Sequence, residues 1–317
     1  MVTNEILYGM GRGKRLLEGE ACYDVLISAF NLSERVSSTF EKIKAPRKYW
    51  IIHNEYRFEG GELPGNGELL ISSESDEADF IIDALSKIKP NLASNQRICI
   101  DITGFMRPHL MFLMRYLQAM QIYEFDLVYA EPSQYRKKAD TVFSSDVVGV
   151  RQINGFEGIH TVDMTHDVLV VGAGYDHDLV SHAIAYKSGA KLIQLLSLPS
   201  LSADMYQESL LRLHRVADAP FRVPDEQLSY SSANDPFITY LVLMDAIGKL
   251  NQRQKSISNL YLSPLATKPQ AVGFAMFYLR HLMGAPASII FPFAAKYSKE
   301  TSVGVGRAWV YPIDVRA

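Results

Sequence analysis

With 317 residues the chain has room for two domains of ordinary size or one large one. An apolar share of 48% and a charged share of 21% are globular proportions and exclude a disordered chain. A net charge of -3 excludes a broad nucleic-acid-binding face, which would show as a basic domain, but leaves room for a local basic pocket. Cys22 and Cys99 both fall in apolar strand-like runs and are expected as buried free thiols. No disulfide framework, zinc spacing or signal peptide is visible. No run reaches the ~18 apolar residues that a membrane span needs, so a soluble, cytoplasmic chain with no membrane partner is expected.

In chain order, Gly9-Met10-Gly11-Arg12-Gly13-Lys14-Arg15 has the composition of a phosphate loop. No strand precedes it and the Walker spacing is missing, so it reads as a flexible basic lead-in. Residues 24–30 form a predicted strand, Ser33 caps a predicted helix over 34–42, and 48–53 is the next strand. A Gly/Pro-rich loop spans 59–67 and a helix lies near 79–88. Residues 97–100 form a short buried strand, followed by Asp101-Ile102-Thr103-Gly104-Phe105-Met106-Arg107-Pro108. The helix that this turn opens carries Leu110, Met111, Leu113, Met114 and Leu117 at helical spacing. Proline in a first helical turn lacks only an N–H that would be unpaired anyway. The turn points backbone donors and the positive end of a helix at one spot, which suits an anion. A strand over 125–129 and a β-rich run over 147–153 complete this half.

The second half repeats the first. Asp167-Val168-Leu169-Val170 matches Asp24-Val25-Leu26-Ile27, and Lys191-Leu192-Ile193 falls on Lys48-Tyr49-Trp50. Beyond an insertion over 201–234, Asp245-Ala246-Ile247-Gly248-Lys249-Leu250 matches Asp83-Ala84-Leu85-Ser86-Lys87-Ile88, and Thr267-Lys268-Pro269 matches Met106-Arg107-Pro108. Ala287-Ser288-Ile289-Ile290-Phe291 falls on Phe125-Asp126-Leu127-Val128-Tyr129, and Tyr297-Ser298-Lys299 on Tyr135-Arg136-Lys137. Shared hydrophobic period explains the strands but not the basic-Pro turn or the Tyr-x-Lys loop. The predicted fold class is therefore α/β, with two doubly wound, mainly parallel Rossmann-like sheets related by internal duplication. The halves are expected over 1–158 and 159–317. The insertion is expected to hold a helix over 203–216.

In open α/β sheets ligands bind beyond the carboxyl ends of the strands, where strand order reverses. Thr103, Gly104, Arg107, Thr267 and Lys268 are the expected direct contacts there. Tyr135, Lys137, Tyr297 and Lys299 would close over them, and Ser28, Asn31, Gly174 and Tyr175 would line the walls of one shared cleft. Arg can hold a phosphate with two bonds, Lys with one. Blander roles compete: a basic residue before Pro is often a solvated helix start, and Arg136-Lys137-Lys138 a solvated loop. Gly172-Ala173-Gly174 lacks the third glycine of the dinucleotide fingerprint, so no redox cofactor is implied. Asp176-His177-Asp178 has partners at no zinc spacing and is expected to be helix capping, with no metal. No Ser-His-Asp order or nucleophile elbow stands out, so catalytic residues stay unassigned.

The stretch from Asp101 to Pro108, strand-Asp-x-Thr-Gly-x-x-Arg-Pro-helix, resembles the ligand motif of CRISPR-associated Rossmann-fold (CARF) sensor domains, and Ser263 to Pro269 resembles a second version. It differs in having Phe105 where a second glycine is common, and Leu265 where the first copy has Gly104. Two such units in one chain resemble the SAVED sensors of antiphage systems. The resemblance implies a cyclic oligonucleotide second messenger as the ligand, no cofactor, and an effector protein acting in trans. Alternatives are a ring nuclease working in the same place, a nucleoside- or sugar-phosphate-processing enzyme using Asp101, Glu131, Asp176 and Asp204, or a structural subunit.

Overall fold

A computed structural model describes residues 13–135, 144–174, 176–201, 207, 227–253, 257–299 and 302–316. The chain divides into two compact units, one of residues 1–143 with 296–316 and the other of residues 144–295. The boundary expected at 158/159 thus falls inside the second unit. Residues 144–158 sit with that unit, and the C-terminal stretch from 296 sits with the first.

The first unit holds strands β1 (Arg15–Leu16), β2 (Ala21–Cys22), β3 (Val25–Ala29), β4 (Ile43–Lys44), β5 (Arg47–Ile52), β6 (Glu68–Ile71), β7 (Ile98–Asp101) and β8 (Glu124–Tyr135), with helices α1 (Glu34–Lys42), α2 (Glu77–Ser86) and α3 (Arg107–Ala119). The second holds β9 (Ser144–Gln152), β10 (Val168–Gly172), α4 (His177–Tyr186), β11 (Lys191–Ser197), β12 (Leu228–Ser231), α5 (Pro236–Arg253), β13 (Leu260–Pro264), α6 (Lys268–His281) and β14 (Ala287–Tyr297). Strand β15 (Ser302–Asp314) returns to the first unit.

The first sheet runs β1-β15-β8-β7-β3-β5-β6. Its five strands β8, β7, β3, β5 and β6 pair in parallel. β15 lies antiparallel between β8 and the two-residue edge strand β1, with a register shift between Val305 and Ala308. Every residue of β3 and β7 is buried, so both faces of the sheet are covered, as parallel strands require. Alternation along a strand sends Leu26, Cys99, Val128 and Val310 to the face where Val36 and Phe40 of α1 complete a core with Trp50. The intervening residues meet α2 and α3, which pack against each other.

The second sheet runs β12-β11-β10-β13-β14-β9. β12, β11, β10, β13 and β14 are parallel. Ranked by chain order within each unit, both sets of five parallel strands follow the order 3-2-1-4-5. The fourth and fifth strands share a register: Cys99 lies opposite Asp126 and Leu260 opposite Ala287, 27 residues apart in each sheet. Each unit also takes the strand beside its fifth parallel strand from across the chain, β15 after β14 in the first and β9 after β8 in the second.

Several local expectations change. Strand β6 lies just past the Gly/Pro loop, and β12 inside the expected insertion; both are four-residue strands at a sheet edge, too short to show a period. The insertion helix expected over 203–216 falls almost wholly outside the described residues. Cys99 is buried, but Cys22 is exposed, because β2 pairs only with the two-residue β4 and lies outside both large sheets. Arg15 is no flexible lead-in: it pairs across to Val310 and donates to Oδ2 of Asp126 at 2.9 Å. Among the described residues no helix is long and apolar enough to cross a membrane.

Candidate functional site

Strand order in the first sheet reverses between β3 and β7, so their carboxyl ends part there. The residues beneath that gap form a buried strut. The Ser28 hydroxyl donates to Oδ2 of Asp101 at 2.8 Å, and the Thr103 backbone N–H donates to Oδ1 at 3.0 Å. The Thr103 hydroxyl oxygen in turn accepts from the Ala130 N–H at 3.0 Å, tying β7 to β8. Ser28, Asp101 and Thr103 are fully buried. Burial pushes the Asp101 carboxyl up from its ordinary value, while the hydrogen bonds from Thr103 and Ser28 and the charge of Arg35 pull it partly back.

The glycines expected to admit a ligand admit a neighbouring loop instead. A Cβ on Gly104 would lie 1.8 Å from the Ala29 carbonyl oxygen. The loop after the fourth strand therefore rests directly on the end of the first. In the second unit the roles are exchanged: a Cβ on Gly174, after the first strand, would lie 2.3 Å from the Leu265 carbonyl oxygen, after the fourth. One glycine per crossing suffices, which is why Leu265 can stand where the first half has Gly104.

Above the strut of the first unit lies a rim of polar side chains. Asn31 Oδ1 accepts from the Ser33 N–H at 2.9 Å, so Asn31, and not Ser33, organises the entry to α1, whose N-cap makes no side-chain bond. Arg35, buried in the first turn of α1, donates through Nη1 to the Ala130 carbonyl at 2.6 Å. Tyr56 is buried and donates to the Gly104 carbonyl at 3.1 Å. Burial raises its phenol, and Asn31 and Arg35 oppose the shift. Arg107 is the first residue of α3, a helix whose N-cap Met106 offers no side-chain bond and whose first turn holds no acid. Lys299 joins the same rim: its carbonyl accepts from the Leu32 N–H at 3.3 Å, and its ammonium meets Glu62 at 2.5 Å and lies over the Phe58 ring. That contact holds the Glu62 carboxyl below its usual value.

Beside Arg107 the structure gathers a cluster that sequence reasoning missed. His53 follows β5, Glu55 lies in the next short turn (Asn54–Tyr56), and His109 lies two residues past Arg107 on α3. His109 Nε2 stands 3.6 Å from Glu55 Oε1. The two imidazoles meet edge to face with centroids 4.6 Å apart, against Phe80 and Phe105. One ligand-type atom from each of the three residues lies within 4.8 Å of the others. The only trace in the sequence is His53-Asn54-Glu55 directly after a buried strand, with His109 in a helix that returns past it.

In the second unit Thr267 caps α6 from within. Its Oγ1 accepts from the Gln270 N–H at 3.3 Å while the Gln270 side chain returns to the Thr267 backbone. Lys268 occupies the first helical position, as Arg107 does in α3. Asp176 caps α4, accepting from the Leu179 N–H at 3.3 Å. The sequence-derived contacts therefore fall in two groups, Ser28, Asn31, Thr103, Gly104, Arg107, Tyr135, Tyr297 and Lys299 in the first unit and Gly174, Thr267 and Lys268 in the second. Lys137 and Tyr175 lie outside the described residues, as does Asp204. Glu131 is buried and accepts from the Trp309 indole at 2.9 Å.

A groove at the opposite, amino edge of the first sheet is lined by Arg15, Tyr23, Arg97, Glu124, Asp126 and Arg316. Arg15 is paired there with Asp126, and Arg316 with Glu124 and Asp314. No protein-family model matches the chain, and no curated protein matches it.

Proposed function

We propose that the carboxyl edge of the first unit's sheet binds a nucleotide-type anion, a cyclic oligonucleotide second messenger, and that the chain is a sensor of that signal in prokaryotic defence, acting on an effector in trans. The observation that carries this reading is the start of α3. Arg107 stands at its first position, at the edge where strand order reverses, and the turn it opens holds no acidic residue of its own and no side-chain cap at Met106. The resemblance of Asp101 to Pro108 to the CARF ligand motif points to the same ligand class. Two Rossmann-like halves derived by duplication account for the common 3-2-1-4-5 order and the common register of the fourth and fifth strands. On this reading Lys268 marks a second, weaker anion position, since α6 already satisfies its first turn through Thr267 and Gln270.

Asp101 does not support an enzyme of the sugar-phosphate class, because its carboxylate is buried and committed to Ser28 and Thr103. Titration calorimetry of the full chain with cyclic oligoadenylates tests the proposal. Replacing Arg107 and Lys268 together by Ala should abolish binding with little change in melting temperature, and unchanged affinity would overturn it. Analysis of the same mixtures for linear products separates a sensor from a ring nuclease.

A further inference from the structure

We propose that His53, Glu55 and His109 form a binding site for one divalent transition-metal ion of the zinc class. Two imidazoles and one carboxylate are the donor set of open, three-ligand zinc sites, in which a fourth position takes water or a ligand oxygen. Three separate features favour a metal over a simple polar cluster. First, the ligands come from two segments far apart in sequence, the stretch His53-Asn54-Glu55 after β5 and the first turn of α3, so the site is built by the tertiary fold. Second, the spacing is close to what a metal needs. Bonds of ~2.0–2.1 Å in a tetrahedron place ligand atoms roughly 3.4 Å apart. The edge from His109 Nε2 to Glu55 Oε1 is already 3.6 Å, and all three ligand atoms lie within 4.8 Å of one another. Third, the second carboxylate oxygen of Glu55 is shielded from water and accepts no hydrogen bond, an arrangement that a cation satisfies and a lone His–Glu contact leaves expensive.

The surroundings suit a soft-to-borderline cation. Phe80 and Phe105 flank the imidazoles and lower the local dielectric. The Met106 N–H approaches His53 Nε2 at 3.5 Å, a long contact. Glu55, with 22% of its side chain exposed, gives the ion a way in. Oxygen-rich spheres preferred by magnesium or calcium do not fit two imidazoles. The inference does not depend on the anion reading, although a metal here would stand two residues from Arg107.

The test uses the full chain, stripped with a chelator and titrated with Co²⁺ as a spectroscopic probe, then with Zn²⁺ by mass-spectrometric metal analysis. One ion per chain is expected, with the visible d–d bands of a four- or five-coordinate cobalt site. Glu55→Gln, at the part-exposed position, should weaken Co²⁺ binding by about a hundredfold or more, since even loss of an outer partner costs about 10- to 100-fold. His109→Gln should abolish the bands. Arg107→Ala should leave metal uptake unchanged, which separates this site from the anion site. A sub-stoichiometric chain without d–d bands, or bands that persist in a folded Glu55→Gln variant, would overturn the proposal.

Discussion

Ser28 and Asp101 stand on adjacent parallel strands at the point where strand order reverses, and the serine hydroxyl donates a 2.8 Å hydrogen bond to the buried carboxylate. Residues that look like a ligand's polar lining are thus part of the frame beneath it. Such a frame fixes the separation of β3 and β7 and so the position of the loops that leave them.

The charge state of Asp101 makes this frame pH-sensitive. Burial raises its folded pKa above the unfolded value of about 4, so the folded chain binds the proton more tightly than the unfolded chain. Stability contributed by protonated Asp101 is therefore fully present below the unfolded pKa and is lost as pH rises through the folded one. In Asp101→Asn that dependence disappears. The difference in denaturation midpoint, wild type minus variant, should fall steadily from about pH 4 upward until the folded carboxyl is ionised. A difference that stays flat or rises would contradict the assignment. Ser28→Ala removes one donor to the carboxylate and should cost about 1–2 kcal/mol at neutral pH.

Gly104 offers a sharper steric test. Its missing Cβ is the space occupied by the Ala29 carbonyl, 1.8 Å from where that atom would be. Backbone cannot rotate aside as a side chain can, so Gly104→Ala should destabilise the chain by about 3 kcal/mol. Gly174→Ala should act in the same direction, through the Leu265 carbonyl. At Gly60, where nothing lies within 4 Å of the added carbon, the same substitution should change stability by no more than about 0.5 kcal/mol. Thermal unfolding of the three variants side by side decides the matter; equal effects at Gly60 and Gly104 would remove the close approach as the cause.

Arg35 provides a third measurement. Its Nη1 holds the Ala130 carbonyl at 2.6 Å, and its charge favours the ionised form of Asp101. Arg35→Met keeps much of the apolar stem but removes both effects, and should cost about 1–3 kcal/mol. Part of that cost is the loss of compensation for Asp101. The double variant with Asp101→Asn should therefore be less destabilised than the sum of the singles. Strict additivity in a double-mutant cycle would show that the two groups do not communicate.

Why some of this was legible in sequence and some was not follows from the range of the signals. Helix α1 begins and ends where its periodicity and the turn before Glu34 place it, because those signals are local. The core strands β3, β7 and β10 are short, mostly apolar runs buried along their whole length, and stand out for that reason. Edge strands β6 and β12 gain their structure from a neighbour's backbone and carry almost no pattern of their own. Arg107 and Lys268 were visible because each precedes a proline at a helix start. His53, Glu55 and His109 were not, since His109 lies 54 positions beyond Glu55 and only the fold brings them together. The buried roles of Ser28 and Thr103 were equally hidden, because a Thr-Gly turn reads alike whether its hydroxyl faces a ligand or a strand.

The two helix starts differ in a way that affinity can read. At α6 the first-turn donors are engaged by Thr267 and Gln270, and Lys268 contributes a compact ammonium. At α3 no side chain caps the turn, and Arg107 offers a planar fork able to hold two phosphate oxygens. Loss of a charge-assisted hydrogen bond costs about 1.5–3 kcal/mol, or roughly 10- to 150-fold in affinity, and the bidentate site should lie at the upper end. Arg107→Ala is therefore expected to weaken binding of a cyclic oligoadenylate more than Lys268→Ala does. Arg107→Lys should recover only part of the loss, because the charge returns without the fork. Equal losses at the two positions, or full rescue by lysine, would mean that net positive charge alone attracts the ligand and that the uncapped start of α3 has no special part in holding it.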